Sequence, residues 1–487
     1  MSPTLILACI LGYFLCLIGI GYITSRKADN ASYFIGNKES VWYIVAFGLI
    51  GDSLSGLTYL SVPGSVKAAQ FNYFQVVLGY ILGYWAIAYF LLPLYYKSNL
   101  TSIYTYLETR IGTISQRTGS FYFILSRLIG AGGRLFLASV VLQKFVFDGF
   151  GIPFPLTVAF IIFLMLVYTF KGGIKTLVWT DMFQSSFLLL GVLLTIVFIM
   201  QRMDWGLADV YHQIKNSEYS KIFFWDWKAK SYFWKQFWGG AFIAICMTGL
   251  DQNMMQKNLS CKSLGEAQKN INSFSIIVVV VNIFFLALGA LLYLYAVKLE
   301  IPLPEKPDQL FPTLAFNYLG KAAGLVFIIG LTAATFNSAD SVLTTLTTSF
   351  YIDFLHKDES SSDNNKRLRY IIHISFAVLL LFVVLAFGLF DDQSLVFTVL
   401  DIAGITYGPL LGLFIFGMFT KRTIKDIFVP VICVLSPAIC TYLYFASNHD
   451  AAWLNGYKIG VELLIINGLL TFIGLFVLSN QQESEKK

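Results

Sequence analysis

Charged residues are scarce in this sequence of 487 residues. They make up 13% of the chain, whereas 57% of its residues are hydrophobic, and this balance excludes a mainly water-soluble fold. A net charge of +6 would suggest a nucleic-acid partner in a soluble protein. We expect no nucleic-acid partner here, because the places of the basic residues along the chain say more about their role than the net charge does.

Cysteine and histidine are also sparse. Five of the six cysteines fall within apolar stretches and Cys261 falls in a predicted loop, so no extracellular disulfide framework is indicated. The four histidines lack the paired spacing of a metal site, which argues against a membrane-embedded metalloenzyme. A transporter-derived sensor would need a signalling domain after the helices, and none follows Ser479. We therefore expect the membrane bundle itself to function, as a monomer.

Long apolar runs are what the sequence has in abundance. Each is long enough to cross a hydrocarbon core of about 30 Å as a helix, and continuous apolar runs are not typical of barrel strands. The sequence predicts an all-α polytopic membrane protein with about thirteen transmembrane helices. The predicted spans are 3–24, 41–65, 73–95, 119–146, 153–169, 177–201, 235–256, 274–297, 320–354, 369–389, 393–419, 426–445 and 457–479.

The basic residues of the short loops sort to one side of these spans. If the amino terminus lies outside, residues such as Lys97, Arg110, Lys257 and Lys421 lie inside, as the positive-inside rule requires. The carboxyl terminus is then cytoplasmic. We expect an integral protein of a bacterial cytoplasmic (inner) membrane.

Two spans carry glycine and polar residues that would interrupt a helix. Span 41–65 contains Gly51, Asp52 and Gly56, and the segment 239–256 contains Gly249 and Asp251. Interrupted spans at matching positions indicate inverted repeats and a binding site at mid-membrane. Taking them as first helices predicts an extra helix (3–24), repeat 1 (41–201), repeat 2 (235–419) and two additional helices (426–479).

Ionisable residues within the spans are functional candidates, because burying a charge in a membrane costs about 2.5–3.5 kcal/mol on insertion scales. Two of them, Asp251 and Arg127, are expected near helix ends, where water removes the difficulty. The full set is Asp52, Asp181, Asp251, Asp340, Asp401, Arg127 and Arg134.

One face of span 320–354 is small and oxygen-bearing. The spacing i, i+3, i+4, i+7 aligns its residues on a single helix face, with Asp340 at the edge. Such a face offers oxygen ligands to a small hard cation, but small and hydroxyl residues also allow close helix packing, and the spacing leaves both interpretations open. The stripe consists of Ala334, Asn337, Ser338, Ser341, Thr344, Thr345 and Thr348.

Two further charged residues have alternative interpretations. Asp181, with Gln184 and Ser185 on its helix face, could hold a sodium ion or a proton, or it could be a buried carboxylate paired with an arginine. Arg134 follows Gly130, Gly132 and Gly133, which would let a solute approach. It could bind a carboxylate in bidentate fashion, or it could form an ordinary ion pair with an aspartate.

Four segments of the chain carry a resemblance to a known family: YTFKGGIKTLVWTDMFQ (168–184), GLDQNMMQKNLSCKSLGEAQK (249–269), NSADSVL (337–343) and GPLLGLFIFGMFTKR (408–422). In this order they resemble the sodium:solute symporter family, which includes sodium/galactose, sodium/proline and sodium/sialic-acid carriers, and the resemblance covers nearly the whole chain. It implies a leucine-transporter-like five-plus-five inverted repeat and sodium-coupled import by alternating access.

The resemblance also implies which residues bind sodium. A first site would use the broken first repeat helix and span 320–354. A second site, present in some members, would use the carboxylates nearby, so one or two sodium ions are expected. The first set is Gly51, Leu54, Ala334, Asn337 and Ser338, and the second is Asp181, Asn337, Asp340 and Ser341.

The solute is less clearly indicated. The stretch 244–248 lacks the polar and aromatic set of the sugar carriers, which argues against a galactose-type site. Ser53, Ser55, Thr58 and Arg134 instead match positions where sialic-acid carriers bind their acidic sugar. We therefore expect a carboxylate-bearing solute. A proline-like amino acid or a monocarboxylate remains an alternative.

Overall fold

The structure is a computed structural model that describes residues 3–25, 33–34, 36–356, 363–389, 395–449 and 451–481, apart from the side chains of residues 170–172, 363–366 and 395–401. Most of the described chain is helical. Its principal helices are α1 (Pro3–Ser25), α2 (Trp42–Ser53), α3 (Gly56–Ala69), α4 (Tyr73–Lys97), α5 (Thr113–Phe150), α6 (Phe154–Thr169), α7 (Gly173–Met203), α8 (Leu207–Asn216), α9 (Phe233–Ala244), α10 (Gln252–Leu259), α11 (Leu264–Lys298), α12 (Lys321–Phe354), α13 (Arg367–Phe387), α14 (Ile402–Phe419), α15 (Asp426–Asn448) and α16 (Leu463–Val477).

The helices confirm an all-α polytopic membrane protein. Nine helices of the described ranges are long and apolar enough to cross a bilayer, and α2 with α3 forms a tenth, bent span. The shorter apolar helices α6 and α16 and the interrupted pair α9 and α10 fall on the other predicted spans. Several boundaries were wrong: α11 begins at Leu264, not at 274, because its first turns are polar and hydropathy alone does not detect them.

The first predicted interruption is present between α2 and α3, whose axes differ by 59°. Leu54 (φ −104°, ψ 76°) and Ser55 (φ −72°, ψ 176°) leave the helical conformation. The last carbonyls of a helix and the first amides of the next have no intrahelical partners at such a break. Backbone oxygens of residues near Gly51 can therefore face a ligand in the middle of the bundle.

The second interruption separates α9 from α10. A π-helical turn over Ile245–Gly249 ends at Leu250, and Asp251 then has extended backbone angles. The Asp251 carboxylate accepts a hydrogen bond from the Met254 amide (3.1 Å) and so caps α10. Both interruptions lie where the glycine-rich segments predicted them. The division of the chain into repeats at 41–201 and 235–419 stays a prediction.

Helix α12 lies at the centre of the bundle and packs most extensively against the stretch Phe154–Met203, which contains α6 and α7. Its polar stripe from Ala334 to Thr348 is almost completely buried. The contact with the broken first helix is close, because a β-carbon at Gly56 would overlap the Thr335 hydroxyl. This packing brings the first interruption directly against the polar face of α12.

Candidate ion and solute sites

A buried lysine joins the acidic residues at the centre of the bundle. Lys257, on α10, has a side chain 1% exposed. Its ammonium group forms ion pairs with Asp52 of α2 and with Asp181 of α7 (Nζ to Oδ2, 2.5 Å), and it donates to Ser341 Oγ of α12 (2.8 Å). Four helices therefore meet at one cation.

Asp340 is linked to this cluster through its neighbour. Ser341 accepts a hydrogen bond from Lys257 and directs its own hydroxyl to Asp340 Oδ1 (3.3 Å). The Ser341 amide also donates to Asp340 Oδ1, and the Tyr168 hydroxyl donates to Asp340 Oδ2 (2.6 Å). The structure thus brings together Asp181, Asp340 and Ser341, three of the residues predicted for a second sodium site.

Asn337 connects the same cluster to the first interruption. Its Nδ2 donates to the backbone carbonyl of Asp181 (3.2 Å), and its Oδ1 is buried with no hydrogen-bond partner in the described part of the chain. A β-carbon at Gly51 would overlap the Asn337 amide, so only glycine allows this approach. A buried acceptor without a donor beside a broken helix is suited to a cation.

The other residues predicted for the first sodium site are buried near this contact. Leu54 is the residue at which α2 ends. Ala334 and Ser338 lie one turn apart on α12, and the Ser338 hydroxyl donates to the Thr335 carbonyl (3.1 Å), which leaves its oxygen able to accept or coordinate. The chemistry of this donor set fits sodium, and its assignment as a sodium site stays a prediction.

A central cavity lies beside the interruption. It encloses about 720 Å³ of empty space, part of it continuous with solvent. The four residues predicted to bind solute, Ser53, Ser55, Thr58 and Arg134, all line it. The structure also adds lining residues that the sequence did not assign to the solute site: Asp52, Leu57, Val62, Tyr73, Tyr80, Tyr84, Arg127, Ile243, Ala244, Met247, Thr248 and Met254.

Arg127, at the edge of this cavity, is fully paired. Its Nε forms an ion pair with Asp251, and its Nη2 donates to the Met247 carbonyl (3.2 Å). The Tyr407 hydroxyl donates to the same Asp251 oxygen (2.7 Å). Water was expected around Arg127 and Asp251, but they are 6% and 0% exposed. Asp251 does lie at a helix end, where it caps α10, but the expectation of water was wrong, because each charge finds its partner on another helix.

Arg134 differs from Arg127 although both lie on α5. It is 9% exposed, and its guanidinium forms no hydrogen bond or ion pair with any residue that the structure describes. The alternative of an ion pair with Asp52, Asp181 or Asp340 is therefore not observed, and the first two aspartates are instead paired with Lys257. A buried guanidinium without an anion is costly unless a ligand supplies one.

Two predictions about charged residues need correction or fall outside the structure. Lys257 was assigned to an inner loop because the predicted span ended at residue 256, whereas it lies within α10 and is buried. Because the predicted span ended one residue before Lys257, the cation of the cluster was placed in a loop. The number of buried aspartates without a matching number of cations was the signal that could have revealed it. The side chain of Asp401 lies outside the described residues.

A second, wider cavity adjoins the first on the side that bears residues 202–234. It contains about 1360 Å³ of empty space and shares Val62 and Tyr73 with the central cavity. Phe224, Lys230 and Ser231 line its other wall. The two cavities are therefore neighbours, and Arg134 lines the central one.

An all-α membrane bundle with two broken helices, a central cavity and buried oxygens suited to a cation is typical of a secondary transporter. The model of the sodium:solute symporter family matches residues 33–426. The chain belongs to this family, and sodium and a small solute are its substrates.

Relatives and solved structures agree with this membership. The chain is 25% identical over 477 residues to the sodium/sialic acid symporter NanT of Aliivibrio fischeri, covering 94% of this chain and 91% of the relative. It is 24% identical to sodium-coupled monocarboxylate transporter 2 of Danio rerio, covering 84% and 67%. A substrate-bound, outward-open sodium-coupled sialic acid symporter has a similar structure (TM-score 0.82, 20% identity, 98% and 99% covered), which confirms the leucine-transporter-like fold.

Proposed function

We propose that this symporter imports a carboxylate-bearing solute of the sialic-acid type. The observation that carries the proposal is Arg134, a buried guanidinium that faces the central cavity without an anionic partner among the described residues. A guanidinium binds a carboxylate through two parallel hydrogen bonds. The neighbouring Arg127 is already neutralised by Asp251 and does not compete for the solute.

The rest of the cavity suits a polar solute with an apolar face. Ser53, Ser55, Thr58 and Thr248 offer hydroxyl groups, and Tyr73 and Tyr80 are neighbouring aromatic residues of α4. The relatives named as sialic acid symporters support the same class of solute.

Sodium and solute are coupled through the first interruption. Gly51 contacts Asn337 on the ion side, while Ser53 and Ser55 line the cavity on the solute side. A sodium ion that bridges α2 to α12 would therefore hold the same backbone segment that shapes the solute cavity. Binding of the ion would favour the state that binds solute, and alternating access would then release both on the other side.

A monocarboxylate is the second candidate solute. Ile243, Ala244 and Met247 make one wall of the cavity apolar, and a small apolar acid would leave no polar group unpaired against it. A proline-like amino acid would need a partner for its ammonium group. Asp52, the acidic residue of the cavity, is already paired with Lys257.

The test is thermal stabilisation of the purified protein by N-acetylneuraminate, lactate, proline and galactose, in sodium chloride and in choline chloride. We expect stabilisation by N-acetylneuraminate in sodium alone, and none by its C1 methyl ester, which lacks the carboxylate. Stabilisation by the ester or by galactose would contradict the role of Arg134. Uptake into proteoliposomes that ignores sodium would contradict the proposed coupling.

We propose that the functional unit is a monomer in a bacterial cytoplasmic membrane, with the amino terminus outside. The basic residues of the short loops support this orientation. Cysteines placed singly at exposed loop positions and labelled from outside intact cells would test it. Labelling of a cysteine at Lys421, but not at Trp225, would reverse the proposed orientation.

A further inference from the structure

We infer that the Lys257 ammonium takes the place of a second sodium ion, so that the carrier moves one sodium ion per solute. This inference rests on the proposed sodium-coupled uptake and specifies its stoichiometry. Its basis is the position of Lys257 Nζ, which contacts Asp181 Oδ2 at 2.5 Å and Ser341 Oγ at 2.8 Å. Both residues belong to the predicted second sodium site.

The position of the ammonium excludes an ion bound to the same oxygens. A sodium ion bound to these oxygens would need to lie about 2.3–2.6 Å from Asp181 Oδ2 and from Ser341 Oγ, the distance at which a hard cation such as Ca²⁺ binds oxygen. That volume contains Lys257 Nζ, whose third contact is the Asp52 carboxylate. The side chain is almost completely buried, and its three donors meet three oxygens from three helices.

The charges near the lysine are consistent with one additional cation. Asp52 and Asp181 carry two negative charges and their partner Lys257 carries one positive charge, so one sodium beside Asn337 would neutralise these three side chains. Asp340 is outside this count, because no ion pair joins it to Lys257 in the described chain. Asp340 accepts hydrogen bonds from Tyr168 and Ser341, which stabilise its carboxylate with neutral donors. Lys257 also links Asp52, which lines the solute cavity, to the ion side of α12.

The experiment measures the ratio of sodium flux to N-acetylneuraminate flux from parallel uptake of the two radiolabelled substrates into proteoliposomes, together with the number of sodium ions that bind the purified protein. For the natural sequence we expect one sodium by both measurements. Two sodium ions per cycle would overturn the inference while leaving sodium-coupled uptake intact. Uptake that is independent of sodium would instead contradict the proposed function.

Two variants test whether Lys257 sets this number. In Lys257→Met, and in Lys257→Met combined with Asp52→Asn, Asp181 and Ser341 become free to bind sodium. We expect the flux ratio to double, which raises the attainable accumulation about fifty-fold at 100 mV. The double variant leaves the net charge of the cluster unchanged, because it removes one positive and one negative charge. It can therefore be measured if the single variant, which leaves an extra buried negative charge, does not fold.

Two control substitutions complete the experiment. Lys257→Arg keeps a tethered cation and should keep one sodium. Lys262→Met removes an exposed lysine from the same region and should leave the ratio unchanged. A ratio that stays at one in both Lys257→Met variants would overturn the inference. If neither variant folds, the ratio and the bound sodium of the natural sequence decide it.

Discussion

Two of the buried basic groups at the centre of the bundle, Lys257 and Arg134, have opposite surroundings. Lys257 meets Asp52, Asp181 and Ser341, and every donor of its ammonium is used. Arg134 lies in a cavity and has no hydrogen-bond or ion-pair partner in the described chain. A charge that is neutralised within the protein joins helices to one another, whereas a charge without a partner in the protein is available to bind a ligand.

Removal of Lys257 should have the largest effect on stability. Lys257→Met leaves Asp52 and Asp181 buried without their cation, and we expect the free energy of unfolding to fall by about 3–5 kcal/mol. Thermal unfolding of the purified variant in one detergent measures the loss. Adding Asp52→Asn should recover part of it. If both variants unfold like the natural protein, the ion pairs of Lys257 are not part of the folded state.

Removal of Arg134 should weaken solute binding and leave the stability of the protein almost unchanged. Arg134→Gln deletes a charge that no described residue neutralises, so we expect unchanged or slightly higher stability in the absence of solute. Affinity for N-acetylneuraminate should fall by about 2–5 kcal/mol, measured by calorimetry in sodium. Arg117→Gln, which changes an exposed arginine, is the matched control. Normal affinity in Arg134→Gln would remove Arg134 from the solute site.

A methyl group at Gly51 should weaken sodium binding and leave solute binding almost unchanged. In Gly51→Ala the added carbon overlaps the Asn337 amide and comes within 2.9 Å of Ser185 Oγ. Overpacking of this kind costs about 1–3 kcal/mol, so half-maximal uptake should need roughly tenfold more sodium. Solute affinity at saturating sodium should change little. An unaltered sodium requirement would show that Gly51 is not close to the ion.

The smallest expected effect concerns the pair beside Arg134. Tyr407→Phe removes one hydrogen bond to Asp251 but leaves its ion pair with Arg127. We expect a stability loss of about 1 kcal/mol and solute affinity within a few-fold of normal. Thermal unfolding and calorimetry measure the two quantities. A loss of affinity as large as that of Arg134→Gln would mean that Arg127 and Asp251 bind the solute directly.

The membrane bundle was predictable because its signals are local. Apolar runs of sufficient length must be helical in lipid, and glycine and polar residues in two spans indicated both interruptions. The stripe on α12 was also visible from its spacing, although the sequence could not decide between ion binding and packing. The structure shows the packing role, since Asn337 and Ser341 contact α2, α7 and α10, and the use of the stripe to bind sodium stays a prediction.

The pairing of the buried charges was not predictable in the same way. Asp181 was left with sodium, a proton or an arginine as its partner, and the structure provides a lysine far along the chain. Arg127 and Asp251 were expected near water, yet they neutralise each other. Each of these pairs joins helices that are distant in sequence, so spacing along one helix carries no information about them.

The sequence by itself determined the class of fold, the two interruptions and the set of residues from which a site could be built, because length, hydropathy and helix-breaking residues act over one or two turns. Tertiary structure alone decided which buried charges are neutralised within the chain. It placed Lys257 between two aspartates and left Arg134 facing the cavity. The physical reason is that electrostatic pairing in a low-dielectric interior depends on distances of a few ångströms between different helices.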